Sequence, residues 1–123
     1  MRIKGKRLKK LYGTLSNMYE YYVGSKFQYK SGEKGRVKNI FTYVCESMGA
    51  RDEKEFEEAL RMFAKYISTK TEEWLRWDKR SRKNYLGFLE KPDEIEVYVS
   101  GELKVSEQNL DIAGTQEEDE WDF

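Results

Sequence analysis

Histidine is absent from this chain of 123 residues, and cysteine and proline each occur once. Without imidazole there is no His-centred acid–base pair and no His metal ligand. A lone Cys45 supplies neither an internal disulfide nor a cysteine zinc site, and it fits a reducing compartment. No G-x-x-x-x-G-K-[ST] string is present, so the common phosphate-cradling loop is missing. No uncharged apolar run approaches the ~18 residues of a membrane span. The basic start MRIKGKRLKK is followed by LYGTLSNMYEYYVG, which is too polar for a signal-peptide core. A cytoplasmic protein without a membrane association is expected. Ser and Thr have no imidazole to activate them. Glu57 and Glu58 sit four and three residues before Arg61, with Lys65 one turn further on, the spacing of surface ion pairs rather than of a cavity lining. Neither catalysis nor a cofactor nor a metal is expected.

Net charge is also absent, with 23 Lys+Arg against 23 Asp+Glu, but only as a sum. Residues 1–40 hold 11 basic and 2 acidic side chains, residues 41–92 hold 11 and 10, and residues 93–123 hold 1 and 11. A basic front and an acidic rear suggest a polyanion-binding part joined to an acidic tail.

Hydrophobic residues make up only 38% of the chain and aromatics 15%, so a small core rich in rings is expected. Apolar residues recur at helical spacing from Arg7 to Val23, before Gly24. Residues 24–36 form a basic loop or short strand through Phe27 and Tyr29. A second helix spans Arg36–Met48 and stops at Gly49. A third opens at Asp52, where Glu55 completes a capping-box pattern, and continues to Trp77 or breaks at Ile67-Ser68-Thr69. A fourth starts near Ser81 and ends at Pro92. Ile95, Val97 and Val99, then Leu103 and Val105 after Ser100-Gly101, alternate with a period of two, which predicts a β-hairpin at 94–105. Residues 106–123 hold seven acids and no Lys or Arg, a composition expected to be disordered. The expected fold is therefore mainly α: a bundle of three to four helices with a C-terminal hairpin (1–105) and a disordered acidic tail (106–123). An unpaired hairpin edge would permit a homodimer.

Three patterns bear on function. Cations and rings interleave through Lys9, Lys10, Lys26, Phe27, Tyr29, Lys30, Lys34, Arg36 and Lys38. Cations hold phosphates and exposed rings stack unpaired bases, so the pattern favours single strands; packed rings and solvated lysines are the plainer reading. A second patch, WLRWDKRSRKNY, offers Trp77, Arg80, Arg82 and Lys83 and either extends that surface or is an ordinary charged turn. Lys70, inside the apolar stripe of the third helix, either snorkels past the core edge or meets a partner. The third pattern is the end of the sequence, EEDEWDF, where Trp121 and Phe123 stand among Asp119, Glu120 and Asp122.

That last segment resembles the C-terminal tip of bacterial and phage single-stranded DNA-binding proteins, whose acidic, Phe-terminated tails recruit replication and repair proteins. The resemblance implies a helicase, primase or nuclease as protein partner. The run FAKYISTKTEEWLRWDKRSRKNYL at residues 63–86 also resembles the C-terminal helical domain of phage replisome organisers related to the DnaD primosome proteins. There a helix carries Y-x-x-x-I-x-x-x-W; Tyr66 and Trp74 match, Ile67 and Glu73 share that helix with them, Tyr85-Leu86 follow, and Lys70 stands at the central Ile. No counterpart of that family's winged-helix domain is seen, so initiator-like sequence recognition is not implied. Together these features suggest a single-stranded DNA-binding accessory of replication or recombination in a phage or mobile element, with RNA open as a second ligand. The alternatives are a helicase loader or replisome organiser, and a viral inhibitor whose acidic end mimics DNA.

Overall fold

A computed structural model describes the backbone of residues 5–82 and 84–116, and the side chains of these except Glu53 and residues 106–116. Five helices follow one another: α1 (Lys6–Val23), α2 (Glu33–Met48), α3 (Phe56–Arg76), α4 (Tyr85–Leu89) and α5 (Pro92–Gln116), with a 3-10 turn at Glu53–Glu55 before α3. No helix among the described residues is long and apolar enough to cross a membrane.

The helix ends follow from local chemistry. Gly24 and Gly49 take left-handed conformations (φ 92° and 73°) that other residues adopt at a cost, and so stop α1 and α2. Ahead of α3, the Glu55 carboxylate accepts from the Arg51 N–H at 2.8 Å, and Asp52 accepts from the Lys54 N–H at 3.0 Å. α3 does not break at Ile67-Ser68-Thr69. The Ser68 hydroxyl is drawn outward to the Tyr22 hydroxyl at 2.5 Å, and one turn past Ile67 the Thr71 hydroxyl donates to the Ile67 carbonyl at 2.6 Å while meeting the Tyr85 hydroxyl at 2.7 Å. Asn84 accepts from the Gly87 N–H and starts α4.

Core residues come from every helix: Leu11 and Leu15; Val37, Ile40, Phe41, Val44; Phe56, Phe63, Tyr66, Ile67; Leu86, Leu89; Ile95, Val99. Phe41 sits between Phe56 and Phe63, with ring centroids 5.5 and 5.7 Å away. Tyr66 is fully buried, and its hydroxyl donates to the Leu89 carbonyl at the end of α4. α1 and α3 run parallel, tied by Lys10–Glu57 near their starts and Tyr22–Ser68 further along. α5 runs antiparallel to α3, through Lys70–Glu94 and then Lys65–Glu102, and packs most extensively on α2.

The expected hairpin at 94–105 is corrected by α5. Only Ile95 and Val99, four residues apart, enter the core, whereas Val97 is 74% exposed. The alternation therefore arises because an outward valine falls between two inward positions of a helix. Pro92 in the first turn, followed by Asp93 and Glu94, is a helix-start pattern that outweighs the β-branched residues. No strand occurs among the described residues, so Phe27 and Tyr29 lie in an irregular extended strap. α5 is helical to Gln116, so residues 106–116 of the expected tail belong to this helix and residues 117–123 lie outside the described ones. Helix and hairpin differ in one measurable way. Gly101 has negative-φ helical backbone and open space where a Cβ would go. Gly101→Ala is expected to stabilise the protein by about 1 kcal/mol in chemical denaturation, whereas a glycine in a hairpin turn would be destabilised by the same change.

Cys45 is buried, and burial pushes its thiol up to about 11. The reactive species is the thiolate, so at pH 8 the native thiol stays protonated as well as covered. A disulfide reagent is expected to react with Cys45 only at the rate of unfolding, and rapidly in denaturant; fast reaction of the native protein would contradict this burial.

Candidate nucleic-acid interface

Three elements meet along one side of α1. The strap of residues 25–30 runs back beside α1 and lays Phe27 against Tyr19 (5.1 Å) and Tyr29 against Tyr12 (5.8 Å). The Tyr29 hydroxyl donates to the Tyr12 carbonyl at 2.8 Å. Burial raises the Tyr29 phenol to about 12, so it remains a neutral donor. Phe27 and Tyr29 also meet each other edge to face at 4.8 Å. Across the strap, Tyr85 from α4 contacts Tyr19 (4.9 Å), Phe27 (5.8 Å) and Trp74 (5.0 Å). Burial raises the Tyr85 phenol as well, with its hydrogen bond to Thr71 opposing the shift. Edge-to-face pairs of this kind add about 0.5–1.5 kcal/mol each beyond the area they bury.

This ring cluster joins the two basic stretches. Residues 26–38 reach it through Phe27 and Tyr29, and residues 74–85 through Trp74 and Tyr85. Between them lies a cleft of about 250 Å³, lined by the rings of Tyr19, Phe27 and Tyr85, by Gln28 and Asn84, and by Lys26, Lys30 and Glu33. Glu33 accepts from the Lys30 N–H at 2.7 Å, which fixes the first turn of α2 against the strap.

The cations named from the sequence divide into two groups. Lys10 pairs with Glu57 at 2.8 Å, and Arg36 with Glu90 at 2.7 Å. Lys70, only 13% exposed, pairs with Glu94 at 2.6 Å and Glu73 at 3.4 Å. Its burial lowers the pKa, but the two carboxylates outweigh this and keep it charged. Lys70 therefore ties α3 to α5. Arg82 lies over the Trp74 ring at 5.1 Å and donates to the Leu75 and Trp77 carbonyls, closing the end of α3. The second group is exposed, with no ion pair among the described residues: Lys9, Lys26, Lys30, Lys34, Lys38 and Arg80. Lys34 holds its ammonium over the Tyr12 and Tyr29 rings at 5.4 and 5.7 Å. Lys38 follows Lys34 by one turn of α2, and Lys9 precedes Tyr12 by nearly one turn of α1, so both extend this side.

Phe27 and Tyr29 are half-buried and enclosed by other rings, so they form a fixed wall rather than free stacking arms. Trp77 is 45% exposed. Lys83 and the tail residues Asp119, Glu120, Trp121, Asp122 and Phe123 lie outside the described residues. Sequence reasoning passed over Tyr21, which is 80% exposed and meets Tyr22 at 5.0 Å. The signal was available: Tyr21 is an aromatic that falls off the apolar stripe of α1.

No protein-family model, curated protein or solved structure matches the chain.

Proposed function

We propose that the protein binds single-stranded DNA along the strap and the first turns of α2, as an accessory factor of replication or recombination. One observation carries this reading: the Phe27–Tyr85–Trp74 contacts bring together two basic segments far apart in sequence, beside exposed lysines that have no ion-pair partner among the described residues. Lys26, Lys30, Lys34 and Lys38 would hold successive phosphates, with Lys9 and Arg80 at the two ends. The cleft between Tyr19, Phe27 and Tyr85 would take one unpaired base against its ring edges, with the Gln28 amide and the Asn84 side-chain NH2 available to the base edge, the Asn84 oxygen being held by the Gly87 N–H. A duplex keeps its bases stacked and cannot use such a cleft, and this gives the preference for single strands. The acidic segment at 117–123, with Trp121 and Phe123, is assigned the recruitment of a partner protein by its composition.

Fluorescence anisotropy with labelled oligo-dT and a duplex of equal length tests the preference. The expected result is tighter binding of oligo-dT at equal salt. Equal affinity for the two would leave only a nonspecific cationic surface and remove the role of the cleft.

A further inference from the structure

The cleft beside the strap contains one group that a phosphate-binding surface does not need. Glu33 lines it together with Lys26 and Lys30, and a carboxylate repels the phosphates that those lysines attract. One Glu33 oxygen accepts the Lys30 N–H at 2.7 Å, which fixes the carboxylate relative to the strap. That hydrogen bond needs a single acceptor, which a glutamine would supply as well. No ion pair to Glu33 occurs among the described residues. An ionised carboxylate has two oxygens with about four lone-pair sites and can only accept, so most of its capacity remains for N–H donors from outside the chain.

The same cleft holds a donor. The Asn84 side-chain oxygen accepts from the Gly87 N–H at 3.0 Å, which leaves the NH2 group to donate. Tyr85 contributes only its ring, because its hydroxyl is engaged with Thr71 at 2.7 Å. Ring walls, a carboxylate and an amide donor thus share a space of about 250 Å³, which admits a purine.

The bases differ in how they meet a carboxylate. Guanine presents two adjacent N–H donors, at N1 and the 2-amino group, with the O6 acceptor beside them. This N–C–N edge has the fork of an arginine guanidinium, the shape that a carboxylate pairs with through two parallel bonds. Adenine and cytosine offer one amino group next to a ring-nitrogen acceptor, and thymine offers one N–H between two carbonyls. Each of these three sets an acceptor against a carboxylate oxygen.

We propose that the cleft selects guanine from the strand, with Glu33 accepting from N1–H and the 2-amino group and Asn84 donating to O6. This rests on the strand-binding reading above and names the base that its cleft prefers. Other bases still enter against the rings, with fewer hydrogen bonds, so oligo-dT remains a ligand.

Anisotropy with short single strands of one length tests the choice. The strands are oligo-dT, unchanged or carrying one central dG, dA, dC or deoxyinosine. Deoxyinosine keeps the N1–H and O6 of guanine and lacks only the 2-amino group. The dG strand is expected to bind about tenfold more tightly than the dT, dA and dC strands, and deoxyinosine is expected to lose most of that gain. Glu33→Gln keeps an acceptor for the Lys30 N–H. It is expected to erase the difference between dG and deoxyinosine, while affinity for oligo-dT holds or rises slightly because a negative charge is gone. Circular dichroism checks that the helices of the variant are kept. Equal affinity of the unaltered protein for dG and deoxyinosine strands overturns the proposal, and so does a guanine preference that survives Glu33→Gln. In both cases binding of oligo-dT leaves the strand-binding reading standing. Failure to bind any of the strands overturns that reading and this proposal together.

Discussion

Reversing Lys26, Lys30 and Lys34 to Glu together is expected to lower the affinity for oligo-dT on the order of a hundredfold at low salt. Each of these lysines is exposed and without an ion-pair partner among the described residues, so its charge is available to a phosphate. Lys26 and Lys30 border the cleft, and Lys34 is held in place over the Tyr12 and Tyr29 rings. Reversal removes three attractions and adds three repulsions along one short path. The matching control reverses Lys54, Arg61 and Lys104, which changes the net charge equally. Arg61 borders a separate depression with Met48 and Leu103, away from the strap. The control is expected to change affinity only a few-fold, through the long-range field. Equal losses in both variants, measured by anisotropy, would mean that binding follows net charge and not this surface.

Phe41→Ala is expected to cost about 3–5 kcal/mol in urea denaturation. The side chain is fully buried, and its ring lies between Phe56 and Phe63, so truncation leaves a cavity where α2 meets the start of α3. A domain of this size has about 5–15 kcal/mol in total, so the variant would retain a modest part of its stability. Phe41→Leu keeps most of the volume and is expected to cost much less. Comparable losses in the two variants would show that ring contacts rather than cavity volume dominate at this position.

α1, α2 and α3 were legible because each combines a 3.6-residue apolar stripe with a start or stop signal. Leu11 and Leu15 end at Gly24, Ile40 and Val44 end at Gly49, and Phe56 to Ile67 follow the Asp52/Glu55 turn. α5 was misread because β-branched residues at 95, 97 and 99 imitate a strand. Pro92-Asp93-Glu94 contained the opposite signal, and the core position of Val99 relative to Ile95 decides the matter only once α2 and α3 supply the surface they pack on. The site was legible as composition but not as geometry. The two basic stretches could be named from sequence, while their meeting depends on Tyr85 reaching both Phe27 and Trp74. Nor does sequence reveal which cations are spent internally. Lys10 and Arg36 pair with Glu57 and Glu90, and the shorter of the two Lys70 ion pairs is to Glu94, all distant in the chain. Of the two readings open for Phe27 and Tyr29, stacking faces or packed rings, the packed one holds because Tyr12 and Tyr19 occur on the adjoining side of α1.

The salt dependence of oligo-dT binding tests the central claim most directly. If Lys9, Lys26, Lys30, Lys34, Lys38 and Arg80 each neutralise one phosphate, the logarithm of the binding constant falls against the logarithm of salt with a slope of about −4. Detectable binding with a slope near that value is the predicted result. Failure to bind oligo-dT at low salt, or binding with a slope near zero, would contradict a strand held by these cations.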